Sequence, residues 1–128
     1  LEGMAARLCA ELATDQEIEV ITLCFEGFSF PLSESETKRY AVCDKRFHNL
    51  VVQCSGNQTI KEMAGRFAVI IKSNLLGLVR PPADTIDEHR QLIAALTERS
   101  AQQAQQLMME HHLRTRRVLE RQLAPKKA

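Results

Sequence analysis

The 128 residues of the chain suffice for one domain with a single hydrophobic core. Apolar residues make up 45% of the sequence and charged residues 26%, a balance typical of a globular protein and not of a disordered one. No apolar run approaches the length of a membrane span, and the first residues lack the order of a secretory signal, so we expect a cytoplasmic protein with no membrane partner.

The formal net charge of +1 hides an uneven distribution. Residues 1–37 carry eight acidic side chains and one basic one, whereas residues 113–128 carry six basic side chains and one acidic one. A basic end can contact nucleic acid, but on a final helix it is more often a solvated face. The chain also lacks aromatic residues interleaved with basic ones, and it lacks a helix-turn-helix pattern. We therefore predict that it does not bind DNA directly.

The four cysteines show no C-x-x-C spacing, and each lies within an apolar pattern. Free buried thiols are therefore favoured over disulfides or a zinc knuckle.

Six segments have the periodicity of amphipathic helices, and no segment alternates convincingly with the period of a strand. Their approximate spans are residues 1–12, 15–28, 34–54, 57–78, 84–96 and 100–123. The first helix is predicted to bury a stripe of larger side chains. That stripe consists of Leu1, Met4, Ala5, Leu8 and Leu12. The sequence therefore predicts an all-α protein.

Several helix boundaries carry recognisable signals. Thr14 and Glu17 have the spacing of a capping box, and Gly56 follows the third helix as a C-terminal glycine. Consecutive prolines at 81 and 82 are expected to end the fourth helix, because proline cannot continue the hydrogen-bond ladder. The later N-terminal caps are predicted to be Asp84 or Thr85, and Ser100.

The third helix carries an acid and an imidazole on its inward side. Asp44 and His48 are four residues apart, so they lie one above the other on a face that also includes Val51. A carboxylate is rarely buried without a partner. The pair therefore requires either a cation or a hydrogen-bond network.

Two further predicted helices place histidines on apolar stripes. His89 shares a face with Leu92, and His111, with His112 beside it, continues the stripe of the last helix. Together with Asp44 and His48 these residues offer an N3O donor set, which suits zinc, nickel, manganese or iron in a helical bundle. Periodicity alone leaves open whether the helices converge on a metal or the polar residues form a hydrogen-bonded core.

The order of these motifs resembles the FCD domain, the C-terminal effector-sensing domain of FadR-type regulators in the GntR family. The likeness covers essentially the whole chain, including the opening residues 1–8 with Thr14 and Asp15 after them. The residues that carry it are Asp44-x-x-Phe47-His48, then Ser55-Gly56-Asn57, then His89, Leu92, Ala95, Leu96, Ala104, Met108 and His111. The spacing of twenty-two residues from His89 to His111 matches the family's last two metal ligands, so His111 is preferred over His112.

The resemblance implies an antiparallel bundle of six to seven helices spanning residues 1–128. It implies a divalent metal ion, zinc, nickel or manganese, bound by Asp44, His48, His89 and His111. A small carboxylate effector would bind on or near the metal, and the domain would form a homodimer. Operator DNA would be bound only by an N-terminal winged helix-turn-helix domain, which this chain does not contain.

Some features depart from the family or leave alternatives open. Many relatives carry arginines on the fourth helix that bind an anion. In this sequence the inward part of that helix is mostly apolar. Asn74 is the polar residue predicted to contact the effector. A small helical metalloenzyme that uses a metal-activated water is the alternative function. Glu88 and Glu110 adjoin site histidines in sequence but are predicted to point elsewhere, which disfavours that alternative. A purely structural helical module is a third hypothesis.

Overall fold

The computed structural model of the protein describes residues 1–74 and 78–124, and for residues 67–74 it describes the backbone alone. Within these residues the chain is an all-α bundle of six α-helices, with one 3-10 turn at Leu23–Phe25 and no strand. The helices are α1 Glu2–Leu12, α2 Asp15–Thr22, α3 Glu34–Gln53, α4 Gln58–Asn74, α5 Pro82–Thr97 and α6 Ala101–Leu123. None of the helices in this part of the chain is long and apolar enough to cross a membrane.

The capping box predicted for α2 is present. The backbone N–H of Glu17 donates to Thr14 Oγ1 at 3.1 Å, and the backbone N–H of Thr14 donates to Glu17 Oε1 at 2.8 Å. These bonds satisfy two N–H groups that the first helical turn cannot pair internally. Asn57 likewise caps α4, because its side chain accepts a hydrogen bond of 3.0 Å from the backbone of Ile60.

Two other predicted boundaries are wrong, and a third is right in position only. α2 ends at Thr22, not Phe28, because the chain tightens into the 3-10 turn. α5 starts at Pro82, where proline fits the first turn without a missing hydrogen bond, so neither Asp84 nor Thr85 is its cap. Ser100 occupies the N-cap position of α6 but makes no side-chain capping bond.

A matched pair of substitutions tests these caps. Thr14→Ala is expected to lower the free energy of unfolding by about 1 kcal/mol, because it leaves the N–H of Glu17 without its acceptor. Ser100→Ala is expected to change it little, since no capping bond is lost. Urea unfolding followed by circular dichroism measures both values. Equal losses of free energy of unfolding in the two variants would contradict the assignment of the two caps.

The buried face of α1 differs from the predicted stripe. Of the predicted stripe, Leu1, Met4 and Leu12 are exposed, Leu8 is partly buried and Ala5 is buried. The other buried residues of α1 are Gly3, Ala6, Cys9 and Ala10. The reason is close packing, because α1 contacts α3, α5 and α6. A Cβ atom added to Gly3 would lie 2.6 Å from Met109 Cγ on α6. Small side chains are therefore required where these helices approach each other.

α1 and α6 run antiparallel. Arg7 near the start of α1 donates a 3.0 Å hydrogen bond to Gln105, whereas Arg99, which precedes α6, donates to the carbonyl oxygens of Ala10 and Ala13 at the end of α1. All six helices contribute buried residues to one hydrophobic core, α4 through Ile60. Its largest fully buried members are Tyr40, Phe47, Ile21, Leu92, Leu96 and Met108. All four cysteines are free thiols, as predicted, although Cys43 is only partly buried.

Candidate metal centre

α3, α5 and α6 bring three histidines together in the core. One ring nitrogen from each of His48, His89 and His111 lies within 4.8 Å of the others. Asp44 joins them, since its Oδ1 lies 3.0 Å from His48 Nε2 and 3.3 Å from His89 Nε2. The three histidines therefore form one cluster, and Asp44 adjoins two of them, His48 and His89. Asn74, the predicted effector contact, lies outside the residues whose side chains the structure describes.

The cluster lies against the aromatic part of the core. His89 is fully buried and stacks on Phe25 with ring centroids 4.2 Å apart. His111 is 5% exposed, and its ring stacks on that of His48 at 5.3 Å. The apolar environment lowers the local dielectric and strengthens any interaction of these nitrogens with a charge.

The Nδ1 atom of each histidine is engaged by an outer partner. His48 Nδ1 lies 2.6 Å from Glu2 Oε1, His89 Nδ1 lies 2.9 Å from the Tyr40 hydroxyl, and His111 Nδ1 lies 2.7 Å from Glu88 Oε1. A carboxylate can only accept, so Glu2 and Glu88 fix a proton on Nδ1 and leave Nε2 as the atom that can bind a metal, which in His48 requires the loss of the Nε2 proton. Metal-binding histidines are commonly oriented by such second contacts.

Two atoms at the centre of the cluster are buried without a hydrogen bond. Among the described residues, Asp44 Oδ1 and His89 Nε2 lack a partner with hydrogen-bond geometry despite their short separation. A buried polar atom left unpaired costs about 1–3 kcal/mol. A cation among the carboxylate oxygen and the Nε2 atoms would satisfy both. The donor set, one oxygen and three nitrogens, fits a divalent transition metal.

The charges of the cluster are strongly coupled. Burial alone would lower the pKa of His48, but the carboxylates of Glu2 and Asp44 raise it to about 10. Burial opposes the charge of Asp44 too, yet the imidazoles of His48 and His89 hold the pKa of this carboxyl well below its ordinary value. Burial and the positive charge of His48 lower the pKa of His111 to about 4. Burial also lowers the pKa of His89. His89 and His111 are therefore neutral at pH 7 and free to bind a cation.

The raised pKa of His48 predicts a pH dependence of stability in the metal-free protein. Its stabilising contribution is complete below the unfolded value of 6.5 and is lost as pH rises through about 10. The difference in free energy of unfolding between the wild type and His48→Gln is therefore expected to shrink from pH 6.5 to pH 10. Urea titrations with a chelator present, at several pH values, measure this difference. A constant difference would contradict the coupling of His48 to the two carboxylates.

Glu88 is placed differently from the prediction. It lies beside the cluster and accepts hydrogen bonds from His111 Nδ1 and, at 2.8 and 2.6 Å, from both terminal nitrogens of Arg80. Burial alone would raise the pKa of Glu88, but Arg80 and His111 lower it to about 2. The prediction that Glu88 points elsewhere is wrong, because α5 and α6 pack so that His111 reaches across to the residue before His89.

Sequence reasoning also missed Glu2 and His112. Glu2 on α1 is 46 residues from His48 in sequence, and its Oε1 lies 3.2 Å from His112 Nε2 as well. The one available signal was the position of Glu2 on the same helical face as Ala5, Ala6 and Cys9, the face that proves to be buried. That signal was obscured because the larger apolar residues of α1 predicted a different stripe.

The fold and the cluster together define an all-α domain with a candidate metal centre in the core of its helical bundle. The family model for the FCD domain matches residues 1–115, and the chain belongs to this family. FCD domains are the C-terminal regulatory domains of GntR-family transcription regulators and are generally not enzymes. No curated protein matches the chain.

Proposed function

We propose that this chain is the metal-dependent effector-sensing domain of a FadR-type transcription regulator in the GntR family. Asp44, His48, His89 and His111 would hold one divalent cation, zinc, nickel or manganese, and a small carboxylate would bind beside it. The observation that carries the proposal is the convergence of the three histidines in the core with Asp44 beside His48 and His89, while the Nδ1 atoms of the histidines are engaged elsewhere.

Charge explains why an anion would bind here. When bound, a divalent cation would supply a net charge near +1, since Asp44 contributes one negative charge and neutral histidines contribute none. His89 and His111 are buried, so water screens this charge weakly. A carboxylate that reaches the cluster therefore gains more from the charge than it would at an exposed site.

The position of the cluster suggests how a ligand would alter the rest of the protein. Its members lie on α3, α5 and α6, and the outer partner Glu2 lies on α1, so a shift of any one helix changes the others. We propose that the domain forms a homodimer in the cytoplasm and that such shifts re-space N-terminal winged helix-turn-helix domains on operator DNA. The effect on DNA affinity cannot exceed the preference of the effector for one helix arrangement.

The contacts of Glu88 give no support to the alternative of a metalloenzyme. A general base must be free to take a proton from a bound water. Both carboxylate oxygens of Glu88 are engaged by Arg80, and one also accepts from His111. Glu2 is similarly engaged, because its Oε1 lies 2.6 Å from His48 Nδ1.

A thermal-shift screen tests the sensing function. Zinc-loaded protein is melted with a panel of small carboxylic acids, and the same panel is repeated with metal-free protein. An effector at about one hundred times its dissociation constant is expected to stabilise the loaded protein by about 2.7 kcal/mol. Little stabilisation is expected without metal. Equal shifts in both forms, or turnover of an acid in the screen, would contradict the proposal.

A further inference from the structure

A second group of ligand atoms lies on the outer side of His48. One ligand atom from each of Glu2, His48 and His112 lies within 4.8 Å of the others, and we call these residues the outer set. Glu2 Oε1 stands 2.6 Å from His48 Nδ1 and 3.2 Å from His112 Nε2. Asp44, His48, His89 and His111 form the inner set.

His112 brings an unpaired atom to the outer set. Its Nε2 is buried and, within the described residues, has no partner with hydrogen-bond geometry, although the His112 side chain as a whole is 42% exposed. Core packing alone does not account for this imidazole, because its ring also lines a cavity. A carboxylate oxygen with two imidazole nitrogens is a donor set that binds divalent transition metals.

The two sets share His48 but use different nitrogen atoms of its ring. Its Nε2 faces Asp44 in the inner set, whereas its Nδ1 faces Glu2 in the outer set. When Nε2 binds an ion, Nδ1 carries the ring proton and donates it to Glu2, so the outer set loses one ligand. A filled inner set therefore weakens the outer set. Only while the inner set is empty can His48 lose its Nδ1 proton and serve as the third ligand of the outer set.

Exposure rises steadily along this line of side chains. His89 is 0% exposed, His48 is 18%, Glu2 is 27% and His112 is 42%. The outer set lines a cavity of about 530 Å³, whose wall also includes Asn49 and Arg116. The cavity gives solvent a route to the outer set. His48 lies between this cavity and the buried ring nitrogens of His89 and His111.

From this arrangement we propose that Glu2, His48 and His112 form an entry site that holds a divalent transition-metal ion at the cavity before it passes to the inner set. The inference rests on the proposed function, because it requires the inner set to bind a cation. Binding of the ion at Nδ1 releases to solvent the proton that Nδ1 donates to Glu2. On transfer to the inner set, Nε2 releases its own proton to solvent and Nδ1 takes one back, so His48 ligates through one deprotonated nitrogen in each set. His112 takes no part in the inner set and acts only in loading.

Loading kinetics test this role. Metal-free protein is mixed with limiting Co²⁺, and the visible absorption of the bound ion is followed in the wild type, His112→Leu and Asn49→Ala. His112→Leu is expected to load about tenfold more slowly and to reach the same final absorption, because removing one partner of a metal site has effects of that size. Asn49→Ala, which lines the cavity and belongs to neither set, is expected to load at the wild-type rate.

An equilibrium titration isolates the outer set. His89→Ala removes a ligand of the inner set alone, and the variant, checked for folding by circular dichroism, is expected to bind one Co²⁺ ion more weakly than the wild type. Adding His112→Leu to it is expected to abolish binding. If His89→Ala does not fold, the loading rates of the first experiment decide the question.

The outcomes separate this inference from the proposed function. Equal loading rates in the wild type and His112→Leu, with one ion bound in each, would overturn the entry site and leave the inner metal site intact. A lower final absorption in His112→Leu would also overturn it, because His112 would then be a ligand of the loaded state. A wild type that binds no ion would overturn both proposals.

Discussion

Saturating zinc is expected to raise the melting temperature of the wild-type protein by about 10 °C and to leave that of His48→Ala almost unchanged. A ligand at about one hundred times its dissociation constant stabilises the folded state by about 2.7 kcal/mol, because it binds that state and not the unfolded chain. His48→Ala removes Nε2 from the inner set and also the contact with Glu2. Calorimetry with and without a chelator measures the shifts, and metal analysis of the purified proteins measures the bound ion.

Asn49→Ala is the matched control for this experiment. Asn49 follows His48 on α3, and its side chain is exposed, so its truncation should preserve both the fold and the response to zinc. Zinc content in His48→Ala equal to that of the wild type would contradict the ligand set. A large zinc-induced shift retained in His48→Ala would contradict it as well.

Glu88→Ala is expected to lower the free energy of unfolding by about 3 kcal/mol even without metal, the cost of leaving a buried charge without its partner. Arg80 is 9% exposed, and Glu88 accepts hydrogen bonds from both of its terminal nitrogens. The same variant frees His111 Nδ1, so the imidazole loses the contact that orients it. Zinc affinity is therefore expected to fall about tenfold to a hundredfold.

Two further variants test whether the loss of stability in Glu88→Ala comes from the unpaired Arg80. Glu110→Ala removes a half-exposed carboxylate of α6 whose distance to Arg114 is 3.9 Å, and it is expected to change stability by less than about 0.5 kcal/mol. Arg80→Met with Glu88→Ala is expected to recover part of the lost stability, because no unpaired guanidinium remains. Urea unfolding and zinc titration of all four proteins supply the comparison. A Glu88→Ala protein as stable as Glu110→Ala would contradict the proposed network.

Much of the local structure could be predicted because its causes are local. The capping box of Thr14 and Glu17 depends on a spacing of three residues, and it is present. The helical fold follows from periodicity in the same way. The cap assigned to Asp84 or Thr85 failed because a proline-led first turn was equally compatible with that sequence. Ser100 does occupy the N-cap position of α6, although its side chain makes no capping bond.

The sequence by itself determined the residue types of the candidate site and the helices that carry them. Spacing placed Asp44 and His48 on one face of α3 and put His89 and His111 on apolar stripes, and the resemblance to the FCD family preferred His111 over His112. Only the tertiary structure decided that the three helices converge, and only it brought Glu2, Glu88 and His112 to the histidines. The physical reason is the close approach of α1 to α6, which small side chains permit and which no periodicity within a single helix encodes.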